Sequence, residues 1–397
     1  MMEKVIYMNN AATSWPKPDC VSEAVAKALL ARPGSANRGG LEDFDVFGAV
    51  RQYLAGLLGL SCAHQIALGA NATWGLNLAL QGLKLTRGAA VVTSLAEHNS
   101  VLRPLYKLAG RELAGKAGEG AQVQEGGERV YHGENLQLIF VPVDSSGRIE
   151  PQLWEQMVFR YRPELCVFTH ASNVTGAVNE AALLAASAKK AGALVLVDAS
   201  QTLGLLPLRA EDWKLDLIAF TGHKYLLGPQ GTGGLYVRPG LDLEPLLCGG
   251  TGIKSDSDAM PDEMPLHLEA GTGNEPAYHG LLAALRWAQA HPPAEAQLAA
   301  CLLKLRSGLK QAGAEVIVPA GLCTPVVSFN LPGKTAAEVG YILTECLDIV
   351  CRSGLHCAPK IFTNLGCDST VRLSLSRFTT EEEVAAVVEA VGSVQSG

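Results

Sequence analysis

The sequence contains little charge, no long apolar run and no closely spaced pair of cysteines. Only 18% of its residues are charged, and the net charge at pH 7 is −7. This balance gives no electrostatic reason to expect nucleic acid or an anionic membrane as a partner. The longest apolar stretches, such as residues 136–143 and 193–197, are too short to cross a bilayer. The first ten residues lack the apolar core of a secretory signal, so we expect a cytoplasmic protein.

The ten cysteines do not follow a metal-binding or disulfide pattern. None of them belongs to a C-x-x-C pair, and Cys166, Cys301 and Cys346 stand inside apolar runs, as small buried residues do. We therefore expect reduced thiols and no metal site.

Short β-branched runs alternate with helical patterns between about residue 60 and residue 240. This alternation predicts an α/β fold, in which helices cover both faces of a mostly parallel sheet. Residues 110–135, rich in Gly, Glu and Gln, interrupt the pattern and indicate a surface insertion without chemistry, a functional lid being the alternative. The predicted strands cover residues 90–93, 136–141, 165–169, 193–197, 215–220 and 234–237.

The pattern changes after the glycine-rich residues 249–252. Helices and short strands then follow without regular alternation, which predicts a second, α+β domain. We expect a large domain over residues 16–250 and a small one over 251–397 that also includes residues 1–15. The predicted strands of the small domain cover residues 315–318, 326–330 and 371–375. Its predicted helices begin at Glu275 and at Thr380, and a third covers residues 335–347.

Polar loops follow several of the predicted strands, where α/β folds collect their active sites. Asp198 ends an apolar strand, and a carboxylate there requires a cationic partner, for which a pyridinium nitrogen is suited. Lys224, His98 and Asn173 stand in the loops after three other strands. Taken singly, each residue has an ordinary alternative: a helix-capping Asp, a solvated lysine, or a loop histidine bonded to backbone.

A glycine-containing turn at residues 68–73 precedes a helical pattern. The exposed amides of a helix N-terminus, with the hydroxyl of Thr73, form a seat for a phosphate group. A helix cap without any ligand explains the same residues.

Together these loops resemble a known family, the fold-type I pyridoxal-phosphate (PLP) enzymes of the class V aminotransferase group. Within it, the chain is most similar to cysteine desulfurases and selenocysteine lyases. The resemblance runs from about Tyr7 to Phe378, with residues 110–135 as the main departure, and implies a large domain with a mostly parallel seven-stranded sheet. The matching runs are N-N-A-A-T at 9–13, E-H-N at 97–99, H-A-S-N-V-T-G at 170–176, V-D-A-S-Q at 197–201, T-G-H-K at 221–224 and E-A-G-T-G-N at 269–274.

The resemblance implies a role for each matched residue. Lys224 would bond covalently to PLP, His98 would stack on its ring, and Asp198 would pair with the ring nitrogen. Gln201 would face the ring oxygen, and Asn173 the ring oxygen or the substrate carboxylate. The contacts around the phosphate would come from Ala72, Thr73, Thr221 and His223, with Thr272 reaching in from a neighbouring subunit. A contact from a second subunit implies a homodimer.

Residues 351–357 resemble the R-x-G-x-H-C loop of the desulfurases, and this likeness makes Cys357 the candidate nucleophile. Taken alone, Cys357 is better explained as a small buried residue in a tight glycine-containing loop, and only its place in the motif favours the nucleophile. Arg372 matches the arginine that grips the substrate carboxylate through two parallel hydrogen bonds, assisted by Arg352. The implied reaction converts L-cysteine into alanine and leaves a persulfide on Cys357. Its sulfur would pass to an acceptor protein that feeds iron–sulfur cluster assembly or thiolation. A selenocysteine lyase, and an aminotransferase or epimerase that does not use Cys357, remain alternatives.

Overall fold

The computed structural model describes residues 5–32, 44–110, 122–124 and 127–396. In chain order its strands are β1 (Ile6–Tyr7), β2 (Ile66–Gly69), β3 (Ala90–Ser94), β4 (Gln122–Val123), β5 (Arg129–His132), β6 (Gln137–Val141), β7 (Leu165–Thr169), β8 (Leu194–Asp198), β9 (Leu217–Thr221), β10 (Gly233–Val237), β11 (Glu315–Ile317), β12 (Val326–Asn330), β13 (Ile349–Val350), β14 (Arg352–Gly354) and β15 (Thr370–Ser374). All six predicted strands of the large sheet are confirmed within a few residues.

The helices begin and end at residues suited to those positions. The helix that starts at Pro151 has proline in its first turn, where the missing N–H costs nothing. Thr335 and Glu338 cap another helix reciprocally. In chain order the α-helices are α1 (Asp19–Leu30), α2 (Val46–Leu58), α3 (Ala72–Gly82), α4 (Asn99–Leu108), α5 (Pro151–Tyr161), α6 (Ala181–Lys190), α7 (Glu275–Ala290), α8 (Glu295–Gln311), α9 (Ala336–Tyr341), α10 (Phe362–Leu365) and α11 (Glu381–Ser396).

The large sheet has the order β2-β10-β9-β8-β7-β3-β6-β5-β4. Its five central strands, from β9 to β6, run parallel, and the strands outside them pair antiparallel. Alternate side chains of a central strand enter two separate cores: Cys166 and Phe168 pack on one face of the sheet, and Val167 on the other. Burial on both faces explains why these strands are continuous apolar runs.

The insertion at residues 110–135 contributes more structure than its composition predicts. Its described part forms the hairpin of β4 and β5, and β5 pairs antiparallel with β6. The sheet therefore has nine strands where seven were expected. Val130 anchors the hairpin in the core, and buried Glu128 accepts hydrogen bonds from Arg160 and Tyr161. Residues 111–121 and 125–126 lie outside the described residues.

A second sheet, of order β11-β12-β15-β14, packs with α8, α9 and α11 around its own apolar core. The predicted helix over 335–347 is α9 followed by a π-helical turn, Ile342–Cys346, and Cys346 is exposed rather than buried. The N-terminal β1 pairs with β13 in a separate two-stranded sheet, and Met8 and Ile349 beside it enter the same core. The domain boundary near residue 250 stays a prediction.

One cavity is lined by the chain segments at the carboxyl ends of β3, β7, β8 and β9 together with Arg352 of β14 and Arg372 of β15. The carboxyl ends of these four strands therefore face the second sheet. No helix in the described ranges is both long and apolar enough to cross a membrane.

Candidate active site

A cavity of about 260 Å³ lies where the central strands end. It brings together almost every residue that the sequence predicted for the cofactor and the substrate. Thr272 lies elsewhere, on a separate cavity of about 460 Å³ next to Gly271 and Gly273. The predicted residues that line the first cavity are Ala72, Thr73, His98, Asn173, Asp198, Gln201, Thr221, His223, Lys224, Arg352 and Arg372.

Lys224 and Asp198 form the charged centre of the cavity. Burial lowers the pKa of Lys224 to about 8, while the negative charge of Asp198 opposes that shift and the two nearby arginines add to it. Such an amine loses its proton more readily than an exposed lysine does, as a nucleophile or a base must.

The carboxylate of Asp198 is oriented by its own loop. Its Oδ1 atom accepts hydrogen bonds from the backbone N–H of Ser200 at 2.9 Å and from the Ser200 hydroxyl at 2.5 Å. In the described part of the chain, no group donates a hydrogen bond to Oδ2. Asp198 therefore presents one oxygen atom to whatever occupies the cavity.

His98 is a neutral ring of fixed orientation. Burial lowers its pKa to about 4, although Asp198 opposes that shift. The backbone N–H of Ser100 donates to Nδ1 at 3.1 Å. Because an N–H group can only donate, Nδ1 is the acceptor and the neutral ring carries its proton on Nε2. The Ser100 hydroxyl lies 2.9 Å from Nδ1 and 2.8 Å from the hydroxyl of Thr73.

The N-terminus of α3 opens onto the same cavity. Asn71 caps the helix by accepting from the backbone N–H of Trp74 at 2.9 Å. The N–H groups of the first turn have no acceptor within the helix, and with the helix dipole they favour an anion. Thr73 and His223 add a hydroxyl and an imidazole, and Nδ1 of His223 is buried without a hydrogen-bond partner among the described residues.

Arg352 and Arg372 stand directly opposite each other on the antiparallel strands β14 and β15. Like charges in this position repel, so the pair favours an anion between them. Arg372 is 1% exposed, and its pKa is lowered to about 10 by burial first and by Arg352 next, so it stays positive at neutral pH. It donates from Nη1 to the carbonyl of Asn173 at 2.8 Å and from Nη2 to Oδ1 of Asn9 at 3.1 Å. Its Nε is buried without a hydrogen-bond partner in the described part of the chain.

Cys357 lies beside this arginine pair, with its Sγ 2.9 Å from Nη2 of Arg352. Its backbone is left-handed at φ = 59°, as is that of His356 at φ = 49°. Two such residues in succession are strained and persist only where their surroundings fix them. The N–H of Asn99 donates to the carbonyl of Cys357, and Nδ2 of Asn173 to that of His356, both at 2.7 Å. The sulfur is thus held in one place.

Several residues that orient the side chains of the site receive no role in the sequence analysis. Ser200 holds Asp198, and Ser100 joins His98 to Thr73. The D-x-S spacing was the available signal for Ser200, because Asp side chains often bond the backbone two residues on. The contact between Asn9 and Arg372 joins residues 363 positions apart, and no local pattern predicts it.

The residues present fit PLP. A lysine amine of lowered pKa, an oriented carboxylate, a neutral histidine and a helix N-terminus converge on one cavity. Buried Oε1 of Gln201 also lacks a hydrogen-bond partner within the described ranges, while its Nε2 donates one hydrogen to the carbonyl of Ala11 at 3.0 Å. These are the groups that PLP requires, since it is a phosphorylated pyridine with a ring nitrogen and a phenolic oxygen on the ring.

Comparison with known proteins agrees with this donor set. The family model described as aminotransferase class-V matches residues 6–115 and 127–387. Among curated proteins, the chain is 29% identical over 399 residues to a probable cysteine desulfurase of Pyrococcus abyssi, covering 97% of this chain and 92% of the relative. It is 27% identical over 405 residues to the cysteine desulfurase CsdA of Escherichia coli, covering 97% and 93%.

A solved structure of similar shape is the apo cysteine desulfurase of Thermococcus onnurineus NA1. It is 28% identical, covers 99% of this chain and 95% of its own, and superposes with a TM-score of 0.83. The overall fold is thus shared with this relative from end to end.

Proposed function

The chain belongs to the class-V aminotransferase family, and from that premise we propose that it is a PLP-dependent cysteine desulfurase that converts L-cysteine into alanine. The observation that carries the proposal is the position of Cys357. Its sulfur is fixed beside Arg352, which faces Arg372, and both arginines line the cavity of Lys224 and Asp198. An aminotransferase or epimerase needs the lysine and the aspartate but has no use for a thiol there.

The residues of the cavity would hold PLP by its three polar parts. Lys224 would bond it covalently, Oδ2 of Asp198 would face the ring nitrogen, and Gln201 the ring oxygen. The first turn of α3, with Thr73, Thr221 and His223, would surround the phosphate. Bound PLP withdraws electrons from the α-carbon of the substrate and so makes the α-proton acidic.

The arginine pair selects and orients the substrate. Arg372 is already fixed by Asn173 and Asn9 and keeps Nε for the incoming group. A carboxylate between two opposed guanidinium groups removes their repulsion and forms charge-assisted hydrogen bonds with both. The substrate is therefore an amino acid with a free α-carboxylate.

Two side chains would handle protons. The Nζ atom of Lys224, with its pKa lowered to about 8, takes the α-proton of the substrate. The ring of His98, with its pKa lowered to about 4, stays neutral at pH 7 and would hold its proton on Nε2 as a hydrogen-bond donor toward the cofactor or the substrate. Of these two groups, Lys224 is the one that changes protonation at little cost near neutral pH.

Cys357 would then act as the nucleophile. Its thiolate attacks the sulfur of the substrate, an S–S bond forms, and the C–S bond of the substrate breaks. The electron pair of that bond stays with the carbon skeleton, which leaves as alanine after protonation. Cys357 is left as a persulfide whose outer sulfur passes to an acceptor thiol.

The partners follow from the same proposal. Thr272 lies off the cavity of its own chain, which fits a homodimer in which it reaches the partner's phosphate site. An acceptor protein for the sulfur, a role in iron–sulfur cluster assembly and a cytoplasmic location belong to the proposal too.

The test is the release of sulfide and alanine from L-cysteine in the presence of a reductant. Wild type is compared with Cys357→Ala and with Cys62→Ala, since Cys62 is exposed and lies in the loop before β2. Equal amounts of sulfide and alanine, lost only in Cys357→Ala, support the proposal. Full activity in Cys357→Ala, or transamination products in place of sulfide, would overturn it. Selenide release from L-selenocysteine in the same assay compares the two substrates.

A further inference from the structure

The N-terminal segment that contains the run N-N-A-A-T touches both ends of the cavity. Asn9 accepts from Arg372, and the carbonyl of Ala11 accepts from Gln201. The segment then continues to the loop of Lys224. It is thus in contact with the substrate side and with the cofactor side at once.

Four donors of this segment converge on one acceptor, the backbone carbonyl of His223. The backbone N–H of Ser14 lies at 3.0 Å, the Ser14 hydroxyl at 3.1 Å, the Thr13 hydroxyl at 3.2 Å and Nζ of Lys17 at 3.3 Å. A carbonyl oxygen has two lone pairs, so the four donors share two acceptor positions on it. The oxygen belongs to the peptide group whose nitrogen is that of Lys224, and fixing it fixes the backbone from which the Lys224 side chain departs.

Lys17 is the charged member of the four. Its Nζ also donates to the Ser14 hydroxyl at 2.9 Å, and it forms no salt bridge with any described carboxylate. The ammonium is partly withdrawn from water, which lowers its pKa to about 8, and its hydrogen-bond acceptors among the described residues are neutral oxygen atoms. An ordinary solvated surface lysine needs neither the burial nor these hydrogen bonds.

We propose that Lys17 is a positioning residue for Lys224. Its ammonium group holds the peptide group between His223 and Lys224 from outside the cavity and so sets the direction in which the Lys224 side chain enters. The inference rests on the proposed use of PLP. Lys17 itself does not line the cavity of Lys224, so it would act only through the backbone of that residue.

The experiment titrates PLP into the apoenzyme and follows the visible absorbance of the bound cofactor as a function of pH. The variants are Lys17→Met, Lys17→Arg and, as the matched control, Lys27→Met, since Lys27 is an exposed lysine of α1. We expect Lys17→Met to weaken PLP binding about tenfold, the effect of losing one charge-assisted hydrogen bond, and to displace the pH midpoint of the absorbance. We expect Lys17→Arg to keep most of the wild-type PLP affinity and pH midpoint, and Lys27→Met to equal wild type in both.

Unchanged PLP affinity and an unchanged pH midpoint in Lys17→Met would overturn the inference, even if the variant unfolds at a lower temperature. If wild type itself binds no PLP, the proposed function falls and the inference with it. If wild type binds PLP and Lys17→Met binds it with the same affinity and pH midpoint, the proposed role of Lys17 is wrong and the proposed function stands. Should Lys17→Met not fold, Lys17→Gln replaces it, because it keeps a donor and removes the charge, with the same two outcomes.

Discussion

Replacing Arg372 by lysine keeps the positive charge at this position but removes the hydrogen-bonding geometry of the guanidinium group. The variant therefore tests whether the geometry, beyond the charge, is needed to bind the substrate carboxylate. In wild type, the guanidinium donates from Nη1 to Asn173 and from Nη2 to Asn9, and its buried Nε has no hydrogen-bond partner in the described part of the chain, so the proposal assigns it to the substrate. A lysine keeps the charge but has one nitrogen, which cannot serve all of these acceptors in a fixed geometry. The loss of one hydrogen bond between charged groups costs about 1.5–3 kcal/mol. We therefore expect kcat/KM for L-cysteine to fall about 10- to 150-fold, mainly through KM.

The assay is steady-state sulfide release over a range of L-cysteine concentrations, with the PLP content measured on the same samples. PLP content should stay at the wild-type level, because the proposal assigns Arg372 to the substrate carboxylate and not to the phosphate. Arg306→Lys is the matched control, since Arg306 is also a buried arginine but does not line the cavity. An unchanged kcat/KM in Arg372→Lys, or a loss of activity that only follows a loss of PLP, would refute the reasoning.

Two further predictions concern the carboxylates. Burial raises the pKa of Glu97 from 4.5 to about 8, so between these values the folded protein keeps a proton that the unfolded chain has lost, and stability falls as pH rises. Glu97→Gln removes this dependence: in urea unfolding of the apoenzyme, wild type should lose up to about 1.4 kcal/mol per pH unit relative to the variant, and parallel pH curves would contradict the assignment. Ser200→Ala removes the 2.5 Å hydrogen bond to Asp198 but keeps the backbone one, so PLP affinity should fall about threefold to tenfold in a titration of the apoenzyme; an unchanged affinity would show that the Ser200 hydroxyl does not orient Asp198.

Much of the site was predictable because parallel strands place their carboxyl ends at one edge. Asp198 ends β8 and the loop of Lys224 follows β9, and these strands are neighbours, so their carboxyl ends place the two residues at the same edge of the sheet. The apolar runs of the central strands were equally clear, since burial on both faces leaves no polar positions. Strand β2 was missed because its four residues end in glycine at the edge of the sheet.

Other features depend on pairing between distant parts of the chain. The hairpin of β4 and β5 has few apolar residues, and its pairing with β6 and the burial of Glu128 and Val130 hold it to the sheet. The opposition of Arg352 and Arg372 follows from the register of β14 and β15, which no spacing in the sequence reveals. The same applies to the contact between Lys17 and the carbonyl of His223.

The central claim is that Cys357 receives the sulfur of the substrate, and the most direct measurement is to trap that sulfur. The holoenzyme is mixed with L-cysteine without reductant, alkylated at once, and digested for mass spectrometry, with the exposed Cys62 and Cys248 as internal references. The account predicts an added sulfur atom on the Cys357 peptide, in step with the alanine formed, and none on the reference peptides. Alanine formed while Cys357 stays unmodified, or sulfur found equally on all three cysteines, would contradict it.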